Sequence, residues 1–376
     1  MSWYEWAKAR NAAISETGRW RQVRDLDAGG HVGRLDDGRE VVSFASNDYL
    51  GLTQHPAVLR GGREALERWG AGSGAARLIV GSRPIHSELE RALADWKQEE
   101  RALLFPTGFA ANLGVLSTLG HADAYICSDE LNHASIVDGC RMAAAEVAVY
   151  PHADVEAADA LLAKTRKRGI VVSDSVFSMD GDLAPIDGLM EVCARHDALL
   201  ILDEAHAVLG PHPGRAAGDR IRVGTLSKFL GAMGGYVAAD EVFIDLLTNL
   251  ARPFIFTTAS SPADAGAALA ALGLLRSDEG DALIARLRAN VDLVAPGHPS
   301  PIVPIVIGEE DEAVAISRRL LELGYLVPAI RPPSVPPGTS RLRLTLSAAH
   351  TEEQIDGLLK ALRRAGAPSP GRRGLG

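Results

Sequence analysis

Cysteine is nearly absent: there are three in 376 residues, and Cys127, Cys140 and Cys193 lack the paired spacing of a metal site or a disulfide framework. Metal chemistry is therefore not expected, and a reducing, cytoplasmic setting fits the cysteine usage. An excess of basic charge is missing too. The net charge is −9 and the charged residues are mixed along the chain, which argues against nucleic acid as a partner. No stretch stays apolar for a membrane-spanning length. The opening Met1-Ser2-Trp3-Tyr4-Glu5-Trp6 lacks the cationic region and apolar core of a secretory signal, so an untargeted protein without membrane contact is expected. There is no internal repeat. Nor does a Gly-x-Gly-x-x-Gly follow the first strand, which removes the motif-level case for a nicotinamide-binding protein.

What is present is length, apolar content and a regular alternation of elements. At 47% hydrophobic content the chain can fill one large core and a smaller one, so two domains are expected. The amino-terminal arm reads as an irregularly amphipathic helix followed, to about Gly30, by an Asp- and Gly-rich loop. From Pro56, a residue suited to a first helical turn, helical patterns alternate with short apolar runs. Strand-like runs stand at 41–44, 102–105, 124–127, 147–150, 170–173, 198–203, 236–238 and 254–258. Helical patterns cover 85–98, 108–119, 155–168, 241–250, 262–276 and 282–290. The last part reads as a strand at 302–307, a helix at 312–323, a proline-rich fixed loop at 328–338, a strand at 341–346 and a helix at 351–364. The expected division is an arm at 1–45, a large α/β domain at 46–280, a smaller α/β domain at 281–366 and a disordered tail at 367–376.

The stretch 198–238 organises the rest. Ala198-Leu199-Leu200-Ile201-Leu202-Asp203 is a buried strand ending in a carboxylate, with His206 just beyond it. Thr225-Leu226-Ser227-Lys228 and the turn Gly231-Ala232-Met233-Gly234-Gly235 follow. Ligands bind at the carboxyl ends of strands in open α/β sheets, so Asp203, His206 and Lys228 form a candidate site, though not a metal site. Each has a plainer reading, because apolar strands commonly end in Asp and a lysine beside a loop is ordinarily solvated. The turn Pro106-Thr107-Gly108-Phe109 offers free N–H groups at a helix start, a place where many α/β proteins hold phosphate. His133 by itself reads as a hydrogen-bonded loop residue, and Arg19, Arg21 and Arg24 as a solvated basic patch.

Taken in order, the motifs resemble those of the α-oxoamine synthases, a family of fold-type I pyridoxal phosphate (PLP) enzymes. The resemblance runs from the first helix to about Gly366. It rests on Ser46-Asn47-Asp48-Tyr49-Leu50-Gly51-Leu52, Gly72-Ser73-Gly74, Asn132-His133-Ala134-Ser135 and Val176-Phe177-Ser178-Met179-Asp180-Gly181-Asp182, together with the Asp203 and Lys228 segments. One departure is Ala207-Val208-Leu209-Gly210-Pro211-His212-Pro213, where the family carries a Gly-Thr-Gly-like turn and a longer connection. The resemblance implies the PLP-dependent transferase fold, with a mostly parallel central sheet in the large domain, and pyridoxal 5'-phosphate as cofactor. It also implies a homodimer with sites shared between subunits.

Position by position, the same resemblance implies that Lys228 holds the cofactor aldehyde and then acts as the α-proton base. Asp203 would keep the pyridine nitrogen protonated, His206 and Ser178 would bond the phenolic oxygen, and His133 would stack on the ring. Thr225 and the backbone of Gly108 and Phe109 would hold the phosphate, with Thr258 supplied by the partner chain. Arg343, with Asn47 and Thr345 nearby, would take an amino acid's carboxylate, and Arg21 a distant carboxylate on the acyl chain. The run 329–338 with Arg341-Leu342-Arg343-Leu344-Thr345 tilts the reading toward the member that joins L-alanine to pimeloyl-CoA or pimeloyl-acyl carrier protein. Relatives that use glycine or serine with other acyl thioesters remain open. So does a catalytically silent subunit, a reading that predicts loss of the lysine.

Overall fold

The computed structural model describes residues 1–211 and 219–370. Its strands are β1 (Leu26–Ala28), β2 (Val32–Leu35), β3 (Glu40–Ser43), β4 (Arg101–Phe105), β5 (Ala124–Asp129), β6 (Glu146–Tyr150) and β7 (Arg168–Asp174). They continue as β8 (Leu199–Asp203), β9 (Arg220–Thr225), β10 (Gly235–Ala239), β11 (Ile302–Gly308), β12 (Tyr325–Leu326), β13 (Ala329–Ile330) and β14 (Ser340–Thr345). Seven of them form the central sheet in the order β4-β10-β9-β8-β7-β5-β6. All run the same way except β10, which is antiparallel to both of its neighbours.

Helices cover both faces of this sheet. Ile126, Ile170 and Val223 turn to one face, under the helices Gly108–Leu119 and Ala134–Met142, while Tyr125, Cys127, Val171 and Leu200 turn to the other. A strand buried on both sides has no solvent face to make polar, which is why these segments read as continuous apolar runs. The parallel direction brings the carboxyl ends of β4, β5, β7, β8 and β9 to one edge of the sheet.

A second sheet, β11-β14-β13, is antiparallel and lies in the carboxyl-terminal part of the chain. In β14 the pleat sends Leu342 and Leu344 into the core, while Arg341 and Arg343 reach the loop that carries Ser178 and Asp180. This alternation delivers an arginine from the second sheet to the edge of the first.

The arm differs from its sequence reading. Its helix, Trp3–Glu16, is opened by a Ser2/Glu5 capping box and buries none of its residues. The expected Asp- and Gly-rich loop contains β1, paired with β2; β3 then pairs in parallel with β12. The hairpin needs Gly33, where a Cβ would lie 2.4 Å from that of Ala28. The run 254–258 is not a strand: Pro253 opens a helical turn, Arg252–Ile255, and Phe254 packs edge-on against Phe105 at 5.8 Å. The helix expected over 155–168 ends at Leu162 and its last residue instead begins β7, because the charged residues before Gly169 suit a helix face and a strand entry equally. A π-helical turn, Arg77–Gly81, has no counterpart in the sequence reading.

The last helix closes at Gly366, and the tail residues 371–376, like His212 and Pro213 of the departing loop, lie outside the described residues. Cys127, Cys140 and Cys193 are buried and free. No helix among the described residues is long and apolar enough to cross a membrane.

Candidate active site

The converging strand ends enclose a cavity of about 210 Å³ lined by Gly108, Phe109, His133, Asp203, His206, Thr225 and Lys228. Its floor is the helix Gly108–Leu119, whose N-cap Thr107 accepts a hydrogen bond from Ala110 N–H at 3.0 Å. Gly108 and Phe109, as the first helical residues, have N–H groups without an intrahelical acceptor, aimed where an anion is favoured. Any side chain at 108 would crowd this spot, since a Cβ there would stand 3.2 Å from Thr225 Cβ. Thr225 Oγ1 donates to Gly234 O at 2.9 Å and accepts from Ser227 N–H at 3.1 Å, which ties the lysine loop to the glycine turn.

Asp203 ends β8 with both carboxylate oxygens engaged. Oδ2 accepts from Asn112 Nδ2 at 2.6 Å and Oδ1 from Ala205 N–H at 2.9 Å. Asn112 Nδ2 also donates to Ser135 Oγ at 2.9 Å, and Ser135 Oγ lies 2.7 Å from His133 Nδ1, so one amide links the carboxylate to the imidazole. His133 N–H donates to Asp174 Oδ2 at 2.7 Å. Behind the strand end, buried Glu204 pairs with Lys97 at 2.6 Å and Arg222 at 2.7 Å, pinning the adjoining ends of β8 and β9.

The electrostatics follow from enclosure. Burial lowers the Lys228 pKa, against the pull of Asp203 and Asp174, and Arg343 lowers it further. Burial, then the positive charges of Lys228 and Arg343, push His206 well below the usual imidazole value, so it is neutral at pH 7. His133 is lowered by burial and by Lys228, with Asp203 opposing. Asp174 is raised well above the ordinary carboxylate range by burial and by the charge of Asp203.

A second cluster adjoins the cavity. Arg343 donates through Nε to Ser178 O at 2.5 Å, through Nη1 and Nη2 to Asn47 Oδ1 at 3.2 Å each, and through Nη1 to Thr345 Oγ1 at 3.2 Å. Of the residues expected in the site, Ser178, Asn47, Arg343 and Thr345 are thus brought together here and do not line the cavity itself. Arg21 lies elsewhere. It lines a cavity of about 580 Å³ with Arg19, Trp20, Ile330 and Arg331, and among the described residues it has no ion-pair partner, whereas Arg19 is paired with Glu310 at 2.8 Å. Thr258 is exposed and lines neither cavity of this chain.

Thr107, Asn112, Ser135, Asp174 and Met233 line the smaller cavity without having been singled out from the sequence. Thr107 was legible as an N-cap; Asn112 and Asp174 carried no local signal, because their partners are 91 and 41 residues away. Among the described residues no cluster of His, Cys, Asp and Glu could hold a metal ion.

The family model for aminotransferases of class I and II matches residues 39–362. An 8-amino-7-oxononanoate synthase of Anaeromyxobacter dehalogenans is 47% identical over 377 residues, covering 95% of this chain and 94% of that protein. Among solved structures, a variant serine palmitoyltransferase from S. paucimobilis with PLP and myriocin bound superposes with a TM-score of 0.89 at 29% identity, over 96% of this chain and 98% of that one. An 8-amino-7-oxononanoate synthase from Francisella tularensis gives a TM-score of 0.72 at 25% identity, over 86% of this chain and 97% of that one.

Proposed function

This chain belongs to the class I and II aminotransferase family, among the 8-amino-7-oxononanoate synthases, and from that membership we propose that it joins L-alanine to a pimeloyl thioester with loss of carbon dioxide and release of the carrier thiol. Its cofactor is pyridoxal 5'-phosphate, and the reaction is an acyl transfer of biotin biosynthesis. The observation that carries the reading is the enclosure of the Lys228 amine, the Asp203 carboxylate and one helix N-terminus around a single small cavity. A flat ring bearing an aldehyde, a basic ring nitrogen and a phosphate needs that donor set. The glycine cradle at Gly108, which a Cβ would crowd against Thr225, suits the phosphate.

When bound, the cofactor supplies an electron sink for negative charge at the amino acid's α-carbon. The remaining work falls to the chain. Lys228 Nζ, made less basic by burial, would hold the cofactor through its aldehyde and, once the incoming amino acid has displaced it, would be the base for the α-proton. Asp203, immobilised by Asn112 and Ala205, would keep a proton on the ring nitrogen. His133 would support the ring face, His206 and Ser178 would bond the phenolic oxygen, and Thr225 with the Gly108 and Phe109 N–H groups would hold the phosphate. Arg343, prealigned by Ser178 O and Asn47, takes the substrate carboxylate, with Thr345 beside it. Arg21 meets the far carboxylate of the pimeloyl chain, whose methylenes suit the apolar lining of Ile14, Trp20 and Ile330.

A homodimer completes the proposed site, with Thr258 serving the neighbouring copy. It is supported by apolar surface left open on one chain: Trp3 is 82% exposed, Ile79 74%, Val80 70% and Phe256 70%. A catalytically silent role is disfavoured by the presence of Lys228 in the cavity.

The test is twofold. Borohydride reduction of the loaded protein followed by peptide mapping should place the label on Lys228, and label elsewhere overturns the site. A panel of amino acids against acyl thioesters should then favour alanine with pimeloyl-CoA or pimeloyl-acyl carrier protein. Preference for glycine with acetyl-CoA, or serine with palmitoyl-CoA, overturns the substrate reading and leaves the cofactor assignment standing.

A further inference from the structure

Tyr49 sits between the two polar clusters and belongs to neither set of roles given above. Its ring is fully buried, 0% exposed, in the core between the two sheets. Its hydroxyl lies 2.5 Å from His206 Nδ1 and 3.2 Å from Asn47 Oδ1. A tyrosine placed only for packing would not need both contacts.

We propose that Tyr49 is a positioning residue that donates its hydroxyl proton to His206 Nδ1 and so fixes the imidazole as the tautomer with its proton on Nε2, a donor available to an acceptor in the cavity. The inference rests on the pyridoxal phosphate reading of the site and is independent of which amino acid or thioester is used.

The direction of the proton follows from the neighbours. Asn47 Oδ1 already accepts two guanidinium N–H groups from Arg343, which leaves Nδ1 as the shorter and less occupied acceptor for the tyrosine. The nearby positive charge of Arg343 draws electron density away from the O–H and strengthens it as a donor. Burial holds the phenol protonated, its pKa pushed up to about 12 despite Arg343, and His206 is kept neutral by burial together with Lys228 and Arg343. A neutral imidazole carries one N–H, so accepting at Nδ1 assigns it to Nε2. Without the tyrosine proton the two tautomers would compete. The one with a bare Nε2 would turn a lone pair toward the phenolic oxygen that His206 is proposed to bond.

Histidine ¹⁵N NMR on the protein free of cofactor reads this directly, with the His206 signals identified by their loss in His206→Gln. Wild type should show an unprotonated Nδ1 and a protonated Nε2, and Tyr49→Phe, which removes only the hydroxyl, should show the two nitrogens moving toward averaged values. The same variant should bind pyridoxal phosphate roughly tenfold more weakly by absorbance titration, the size expected for a misdirected hydrogen bond to a charged oxygen. A wild-type His206 protonated on Nδ1 overturns the proposal, and that measurement stands even if Tyr49→Phe does not fold. Unchanged nitrogen shifts in a folded Tyr49→Phe overturn it as well. Failure of the alanine and pimeloyl reading would leave both readouts untouched.

Discussion

Asp203→Asn is the sharpest test of the site, because the substitution keeps shape and removes one charge. Both Asp203 oxygens accept, one from Asn112 Nδ2 and the other from Ala205 N–H. An amide has one oxygen, so in either orientation its NH₂ must face one of those donors. If it faces Asn112, that side chain must turn over to offer its oxygen. Asn112 Nδ2 then abandons Ser135, and Ser135 Oγ must choose between Asn112 and His133. At a residue only 6% exposed, bulk solvent offers little to replace the lost partner. The loss of a hydrogen bond to a charged group is worth roughly 1.5 to 3 kcal/mol, and each 1.4 kcal/mol is about tenfold. Pyridoxal phosphate affinity should therefore fall roughly ten- to a hundredfold, and turnover with it. Absorbance titration and steady-state kinetics measure the two effects, with circular dichroism to verify the fold. A folded variant with cofactor affinity and kcat/KM within about twofold of wild type would refute the reasoning.

Three further outcomes are expected. Arg343→Ala should raise the KM for the amino acid roughly ten- to a hundredfold through loss of a charged hydrogen-bond donor; an unchanged KM in a folded variant would remove it from the substrate site. Arg21→Ala should erase the preference for a pimeloyl thioester over an uncharged acyl chain of similar length while sparing the KM for the amino acid; retained preference would shift the role to another residue around that cavity. His152 lies 3.1 Å from Asp129 and 2.8 Å from Asp182; burial opposes its charge, but the two carboxylates raise its pKa to about 10. Since that value lies above the unfolded one near 6.5, the ion pairs contribute fully below about pH 6.5 and are lost as pH rises through about 10. The melting temperature should therefore drop more between pH 7 and 10 in wild type than in His152→Gln, and equal slopes would defeat the assignment.

The sequence alone determined the succession of elements through most of the chain and three groups at the heart of the site. Burial on both faces leaves an uninterrupted apolar run, as in Leu200-Ile201-Leu202, and the polar residue that ends such a run, Asp203, must lie at a strand end. His206 and Lys228 were legible for the same reason, through short segments whose order carries the family resemblance. Where a segment's state depends on distant contacts, the local pattern misled: Leu26–Ala28 is a strand because Val32–Leu35 pairs with it, and Phe254 is helical where Pro253 opens a turn packed on Phe105. The tertiary structure alone decided the company each group keeps. Tyr49 meets His206 across 157 residues and Arg343 meets Asn47 across 296, while Arg21 is held at a separate cavity and Thr258 faces outward. Hydrophobic period is a property of neighbours a few residues apart, whereas a hydrogen-bond partner is chosen by which strand ends and loops the folded sheets bring to the same edge.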